Sequence, residues 1–375
     1  MKYMGSKRVM LQNGLGTLLD SEILHSRRFV DLFTGSGVVA WFVATRHPVE
    51  VIACDLQRYS VSLANAVIGR KTGLNWEPVW SSWYRSAKCW VSAMKPPTYD
   101  KLTKKSVQEI RDWCGGQHCL PITSSYGGHY FSAKQALWFD ALRRYIPRTM
   151  PERDIALAAL IQAANECAAA PGHTAQPFQP TKTAKRFLEA AWGLDVCLRT
   201  KNALISIAKL HAHQVGRGDV CDANDSANKI EAGDLVFVDP PYSGVHYSRF
   251  YHVLETVARG ESGEVSGVGR YPSIELRPHS RYSVKSESKE ALDSLLQVIC
   301  SRGAKVILTF PDHDCSNGLS GLLVKQIAQK YFSVQEQSVE SKFSTLGGNS
   351  SGLVGSTGRD ARRRAKELIL VLTPK

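Results

Sequence analysis

The stretch Phe29-Val30-Asp31-Leu32-Phe33-Thr34-Gly35-Ser36-Gly37, continued by Val38-Val39-Ala40-Trp41-Phe42, reads as strand, glycine turn and helix. Gly35 and Gly37 carry no Cβ, so the backbone there passes close to a ligand, and the following helix directs its unpaired N–H groups into the same crevice. A second apolar run, Val49-Glu50-Val51-Ile52-Ala53-Cys54, ends at Asp55. That is about 20 residues beyond the glycines, where doubly wound folds set an acidic side chain on ribose hydroxyls. The pattern predicts an α/β fold built around a nucleoside cofactor. Ala40 stands where a dinucleotide fingerprint has its third glycine, a replacement such sites tolerate, so spacing alone does not say which nucleoside.

Further along, Leu235-Val236-Phe237-Val238 runs directly into Asp239-Pro240-Pro241-Tyr242. A strand ending this way meets the cleft in which open α/β enzymes place their chemistry. The prolines remove backbone donors and stiffen the turn. The Asp239 carboxylate and the Pro240 carbonyl accept hydrogen bonds, as an exocyclic NH2 requires, and Tyr242 offers a stacking face. A flat heterocycle bearing an amino group fits that description.

Composition points the same way. The 375 residues are 43% hydrophobic, enough for a full α/β core and a smaller domain. Lys and Arg total 47 against 34 for Asp and Glu, and a net charge of +13 favours a polyanionic partner such as nucleic acid. No apolar run approaches the ~18 residues that span a bilayer, and no basic-then-apolar leader opens the chain, so a cytoplasmic location without membrane contact is expected. The nine cysteines read as reduced thiols, with Cys54, Cys197, Cys221 and Cys300 in apolar surroundings. No metal site is expected, since Cys114, His118 and Cys119 make an incomplete set of ligands.

Lys2-Tyr3-Met4-Gly5-Ser6-Lys7-Arg8, the Phe29 to Gly37 segment and Asp239 to Tyr242 occur in the order seen in alpha-class, Dam-like DNA N6-adenine methyltransferases, which the chain resembles. Tyr130-Phe131-Ser132 with Gln135-Ala136, and Arg359 to Glu367, add to the resemblance, which leaves about residues 75 to 128 unmatched. It implies a Rossmann-like, S-adenosylmethionine-dependent methyltransferase sheet with an inserted, mainly helical target-recognition region. It assigns S-adenosylmethionine to Tyr3, Lys7, Asp31, Phe33, Gly35, Gly37, Asp55 and Asp239, and the target adenine to Asp239, Pro240 and Tyr242. An acidic residue near Gly216-Arg217-Gly218-Asp219-Val220 would meet the cofactor's adenine; Asp219 fits best and Asp222 stays open. The substrate it implies is double-stranded DNA, with the base flipped out and methylated directly. Restriction or defence proteins are the companions expected. RNA adenine methylation, DNA N4-cytosine methylation and an inactive DNA-binding subunit are the alternatives.

The chain order gives catalytic segments at 1–73 and 200–375 around an insert at 74–199. Tryptophans and lysines interleave between 74 and 130, suiting either nucleic-acid contact or a small satellite core. Helices are predicted from Ala133 to Ile146 and from Ile155 to Ala170. The loop after them resembles the family's DNA-facing loop, which makes His173, Gln176 and Lys182 candidate contacts, and Arg359 heads a second basic patch. The run His246 to His252 is a candidate for closing over a flipped nucleotide, and 259–289 reads as a long mobile loop. Strands are predicted at Lys305 to Phe310 and Leu368 to Leu372.

Overall fold

Asp234–Val238 is buried at every position, and its Leu, Val and Phe side chains suit a strand covered on both faces. It pairs in parallel with Arg28–Asp31 on one side and Lys305–Pro311 on the other, and Arg28–Asp31 pairs in parallel with Glu50–Asp55. Beyond Lys305–Pro311 the sheet turns antiparallel, through Arg362–Pro374 to Phe332–Ser344. This computed structural model describes residues 7–344 and 362–375, which fall into two compact units. One comprises 57–220 and 247–278, and the other, the sheet unit, holds the remainder.

The strand period of two sorts the sheet's side chains. Val30, Ile52, Val236, Val238, Val306 and Leu308 face one core with Leu292, Leu295, Leu296 and Ile299 of the helix Ser288–Ser301 and Val324 and Ile327 of Gly321–Tyr331. Phe29 and Phe237, of the other parity, stack with centroids 6.4 Å apart. At the amino ends of their strands, Arg28 clamps the buried Asp234 carboxylate through two bonds of 2.8 and 2.6 Å. At the carboxyl ends the register decides what meets what. Phe237 lies opposite Asp31 and Ile307, and Val238 opposite Leu308, so the next step sets Asp239 level with Thr309. The chain leaves Arg28–Asp31 for Glu50–Asp55 on one side and returns to Asp234–Val238 on the other, which makes this end the topological switch point.

In the other unit the Ala-rich helix Glu152–Cys167 is buried almost throughout and packs with Arg58–Ile68 and Val196–Ala208. Its boundaries differ from the 74–199 insert drawn from composition, because 57–73 and 247–278 pack here as well. The tryptophans form a satellite core: Trp80 meets Trp83 edge-on at 5.8 Å, and Tyr84 stacks between Trp80 and Trp138. The stretch expected to be a mobile loop is built instead. Val265–Ser266 pairs with Tyr271–Pro272, and the Arg270 guanidinium reaches the carbonyls of Ser125 and Ser124 at 2.8 and 3.3 Å. Those bonds hold Arg270 at a φ of 53°, a region that otherwise favours glycine. Among the described residues no helix is long and apolar enough to cross a membrane.

Leu295 is fully buried in the sheet unit's core. Leu295→Ala is expected to destabilise that unit by about 2–5 kcal/mol, read from urea unfolding; an unchanged midpoint would show that this face does not carry the core.

Candidate active site at the carboxyl ends of the strands

Lys7, 4% exposed, places its Nζ 2.9 Å from Asp239 Oδ1 and 3.5 Å from Glu367 Oε2. Thr309 Oγ1 donates to the same Asp239 oxygen at 2.8 Å. Burial by itself would lower the Lys7 pKa, but Asp239 and Glu367 more than offset it and hold the ammonium above its ordinary range. Burial raises the Asp239 carboxyl, and the Lys7 charge opposes that rise. The Asp239 side chain keeps 18% of its surface exposed, and among the described residues no donor reaches Oδ2.

The turn after Asp239 is held from below by Asn317, which is fully buried. Its Nδ2 donates to the carbonyls of Pro241 at 2.8 Å and Tyr282 at 2.9 Å, and its Oδ1 accepts from the Leu319 N–H. Among the described residues no donor reaches the Pro240 carbonyl. One proline carbonyl is thus tied into the fold, and the other is not tied by any described residue.

The glycine turn stands beside this. Gly35 and Gly37 have φ of 52° and 74°, so both need the left-handed region. Gly35 N–H donates to Asp55 Oδ2 at 2.8 Å, and Thr34 N–H to the Cys54 carbonyl, so the turn is fastened to the end of the neighbouring strand. Asp31 is 1% exposed, and its carboxylate receives the Phe33 N–H at 3.4 Å. Burial raises its pKa well above the ordinary 3.8, the Phe33 N–H opposes that, and the charges of Asp239 and Asp55 raise it further. Phe33 meets the buried Tyr282 edge-on at 5.0 Å. Asp239 and Glu367 pair with Lys7, while Asp31 has Asp239 and Asp55 as charged neighbours, an acidic arrangement that suits a cationic ligand with hydroxyl groups.

The structure thus brings Lys7, Asp31, Phe33, Gly35, Gly37, Asp55 and Asp239 to one end of the sheet unit. Asp222 belongs there too: the Cys221 N–H bonds the Asp55 carbonyl at 3.1 Å, and Asp222 Oδ1 accepts from Asn224 N at 2.8 Å. Asp219 lies in the short strand Arg217–Val220 of the other unit, half exposed and 3.6 Å from Arg217. His173 is 8% exposed, its ring packed 5.1 Å from Phe250 and its Nδ1 accepting from Ala175 N, while Gln176 and Lys182 are exposed. His252 is buried between the carbonyls of Arg249 and Gly269, and burial lowers its pKa to about 4. Tyr3 and Arg359 lie outside the described residues. Sequence reasoning missed Thr309, Asn317 and the pairing of Glu367 with Lys7. The single signal was a threonine interrupting Val306-Ile307-Leu308 and Phe310.

The profile of a family described as D12 class N6 adenine-specific DNA methyltransferase matches residues 3–111 and 172–304, well over half of the chain. It takes in residues 75 to 111, which the sequence resemblance left unmatched, and leaves out 112–171. Relatives include modification methylase LlaI of Lactococcus lactis subsp. lactis, 24% identical over 322 residues. Type II methyltransferase M.FokI of Planomicrobium okeanokoites is also 24% identical over 322 residues. These alignments cover 80% and 79% of this chain but 44% and 42% of those proteins, so the chain spans less than half of their length. Type II methyltransferase M.NlaIII of Neisseria lactamica is 27% identical over 310 residues, covering 79% of this chain and 80% of that protein.

The raised Asp31 pKa has a definite sign in stability. The folded state binds this proton more tightly than the unfolded one, so the contribution is complete below the ordinary carboxylate range and is lost as pH rises through the raised value. Asp31→Asn is expected to gain stability relative to wild type as pH rises toward neutrality, measured by urea unfolding across that range. Parallel pH profiles of the two proteins would contradict it.

Proposed function

The chain belongs to the D12 class N6 adenine-specific DNA methyltransferase family, and from that we propose that it methylates the N6 amino group of adenine at a specific sequence in duplex DNA, with S-adenosylmethionine as methyl donor. The observation that carries this reading is the state of Asp239: Lys7 and Thr309 occupy Oδ1, and among the described residues no donor reaches Oδ2 or the Pro240 carbonyl of the same turn. Two acceptors held by a rigid turn match the two hydrogens of an exocyclic amine.

The amine lone pair is delocalised into the adenine ring, which makes it a weak nucleophile. Hydrogen bonds from NH2 to Asp239 Oδ2 and the Pro240 carbonyl favour the pyramidal geometry and offset positive charge as it develops on nitrogen. Tyr242 supplies the face on which the base, flipped out of the duplex, stacks. When bound, S-adenosylmethionine supplies an electrophilic methyl group on a sulfonium. The residues fit it: Asp31 is a buried acid with Asp55 and Asp239 as charged neighbours, suited to a cationic methionyl portion, and the Asp55 carboxylate that fastens the glycine turn supports a nucleoside contact there. Asp219 and Asp222 are the two candidates for the contact to the cofactor's adenine. Gln176 and Lys182 remain the DNA contacts of this proposal, with His173 bracing their loop against Phe250. Relatives named as a modification methylase and a type II methyltransferase support a role in restriction-modification.

The test is incubation with unmethylated plasmid DNA and S-adenosylmethionine, followed by digestion to nucleosides and mass spectrometry. N6-methyladenine is expected from the wild type, and Asp239→Ala is expected to lower its formation at least about a hundredfold while retaining cofactor binding. Methylated cytosine, methylation of RNA alone, or turnover by Asp239→Ala would each overturn the reading.

A further inference from the structure

Thr309 lies beyond the segments matched by the family profile, in the middle of an otherwise apolar strand, and it is fully buried. A threonine there leaves a hydroxyl to be satisfied, and the structure satisfies it on Asp239 Oδ1 at 2.8 Å. The same oxygen receives the Lys7 ammonium at 2.9 Å. The two donors differ in kind. An ammonium on a long flexible stem exerts attraction with little directional control. The Thr309 hydroxyl comes from a short, β-branched side chain in a strand paired on both sides, with Leu308 opposite Val238 and Thr309 opposite Ile369. Its position is therefore rigid.

We propose that Thr309 is a positioning residue for methyl transfer: its hydroxyl fixes the plane of the Asp239 carboxylate so that Oδ1 stays anchored and Oδ2 is presented to the amine. The assignment rests on the proposed adenine methylation and adds to it a residue that touches neither substrate nor cofactor. Without the hydroxyl, Lys7 still neutralises Asp239, but the carboxylate swings about its terminal bond and the acceptor geometry is lost for part of the time. The Thr309 hydroxyl itself is spent on Asp239 Oδ1, so the loss is expected to fall on kcat more than on binding of cofactor or DNA.

Thr309→Val keeps the volume and removes the hydroxyl, and Thr309→Ser keeps the hydroxyl. The valine variant is expected to lower kcat by about 10- to 100-fold, with KM for DNA and cofactor affinity within about twofold of wild type. The serine variant should recover most of kcat. The acid limb of the kcat profile should move to higher pH in the valine variant, because a donor to the charged carboxylate has gone while Lys7, Glu367 and Asp31 still face it. Wild-type kcat in Thr309→Val, or a serine variant as slow as the valine one, would overturn the assignment. A second readout is independent of turnover: carboxyl NMR titration of selectively labelled aspartate, with Asp239→Asn identifying the resonance. An upward displacement of the Asp239 midpoint on Thr309→Val supports the role, and an unchanged midpoint refutes it. A wild type that transfers no methyl group would sink the adenine reading alone, and the titration would still decide for or against Thr309.

Discussion

The ion pair between Lys7 and Asp239 is the interaction on which the site depends. Removing both charges from water is costly, and the pair holds only because each group is satisfied on more than one side. Asp239 has Thr309 as well as Lys7, and Lys7 has Glu367 as well as Asp239. The partners come from opposite ends of the chain and from the adjoining strand, so the sheet must be complete before the pair exists. This ties catalytic geometry to folding. The same pairing commits one carboxylate oxygen, while among the described residues no donor reaches the other, an asymmetry that an isolated aspartate on a turn would not have.

The parallel register turns four unrelated stretches into one surface. Asp31, Asp55 and Asp239 end or follow neighbouring strands, and Thr309 sits one step inside the next. The opposite parity is spent on the aliphatic core beneath Ser288–Ser301 and Gly321–Tyr331. Rigidity comes from that core and from Arg28 on Asp234 at the far end of the strands. Chemistry is gathered where the carboxyl ends open. Burial raises the Asp31 carboxyl first, and the charges of Asp239 and Asp55 raise it further, leaving an acidic place that suits a cation.

Much of this was legible before folding. The strands Arg28–Asp31, Glu50–Asp55, Asp234–Val238 and Lys305–Pro311 follow from apolar runs bounded by glycine or proline, and each was expected within a residue or two. The helical unit was less legible. Its boundaries depend on which segments pack together, and 57–73 and 247–278 carry no compositional mark of belonging to it. The stretch 259–289 looked mobile because glycine, serine and arginine are typical of loops, whereas Arg270 spends its donors on two carbonyls of a helix far away in sequence. His173 looked like a surface contact for a related reason: nothing local announces that Phe250 covers it.

By itself the sequence determined the α/β sheet, the glycine turn, the Asp-Pro-Pro-Tyr corner and the acids that end the strands, because each is written in residues close together along the chain. The tertiary structure alone decided which oxygen of Asp239 is shared by Lys7 and Thr309, that Glu367 pairs with Lys7, that Asn317 ties down the second proline carbonyl, and that the Cys221 N–H bonds the Asp55 carbonyl. The reason is register. Side chains in neighbouring strands meet or miss according to how hydrogen-bonded ladders align, and that alignment is set by burial over the whole core, which no short stretch of sequence records.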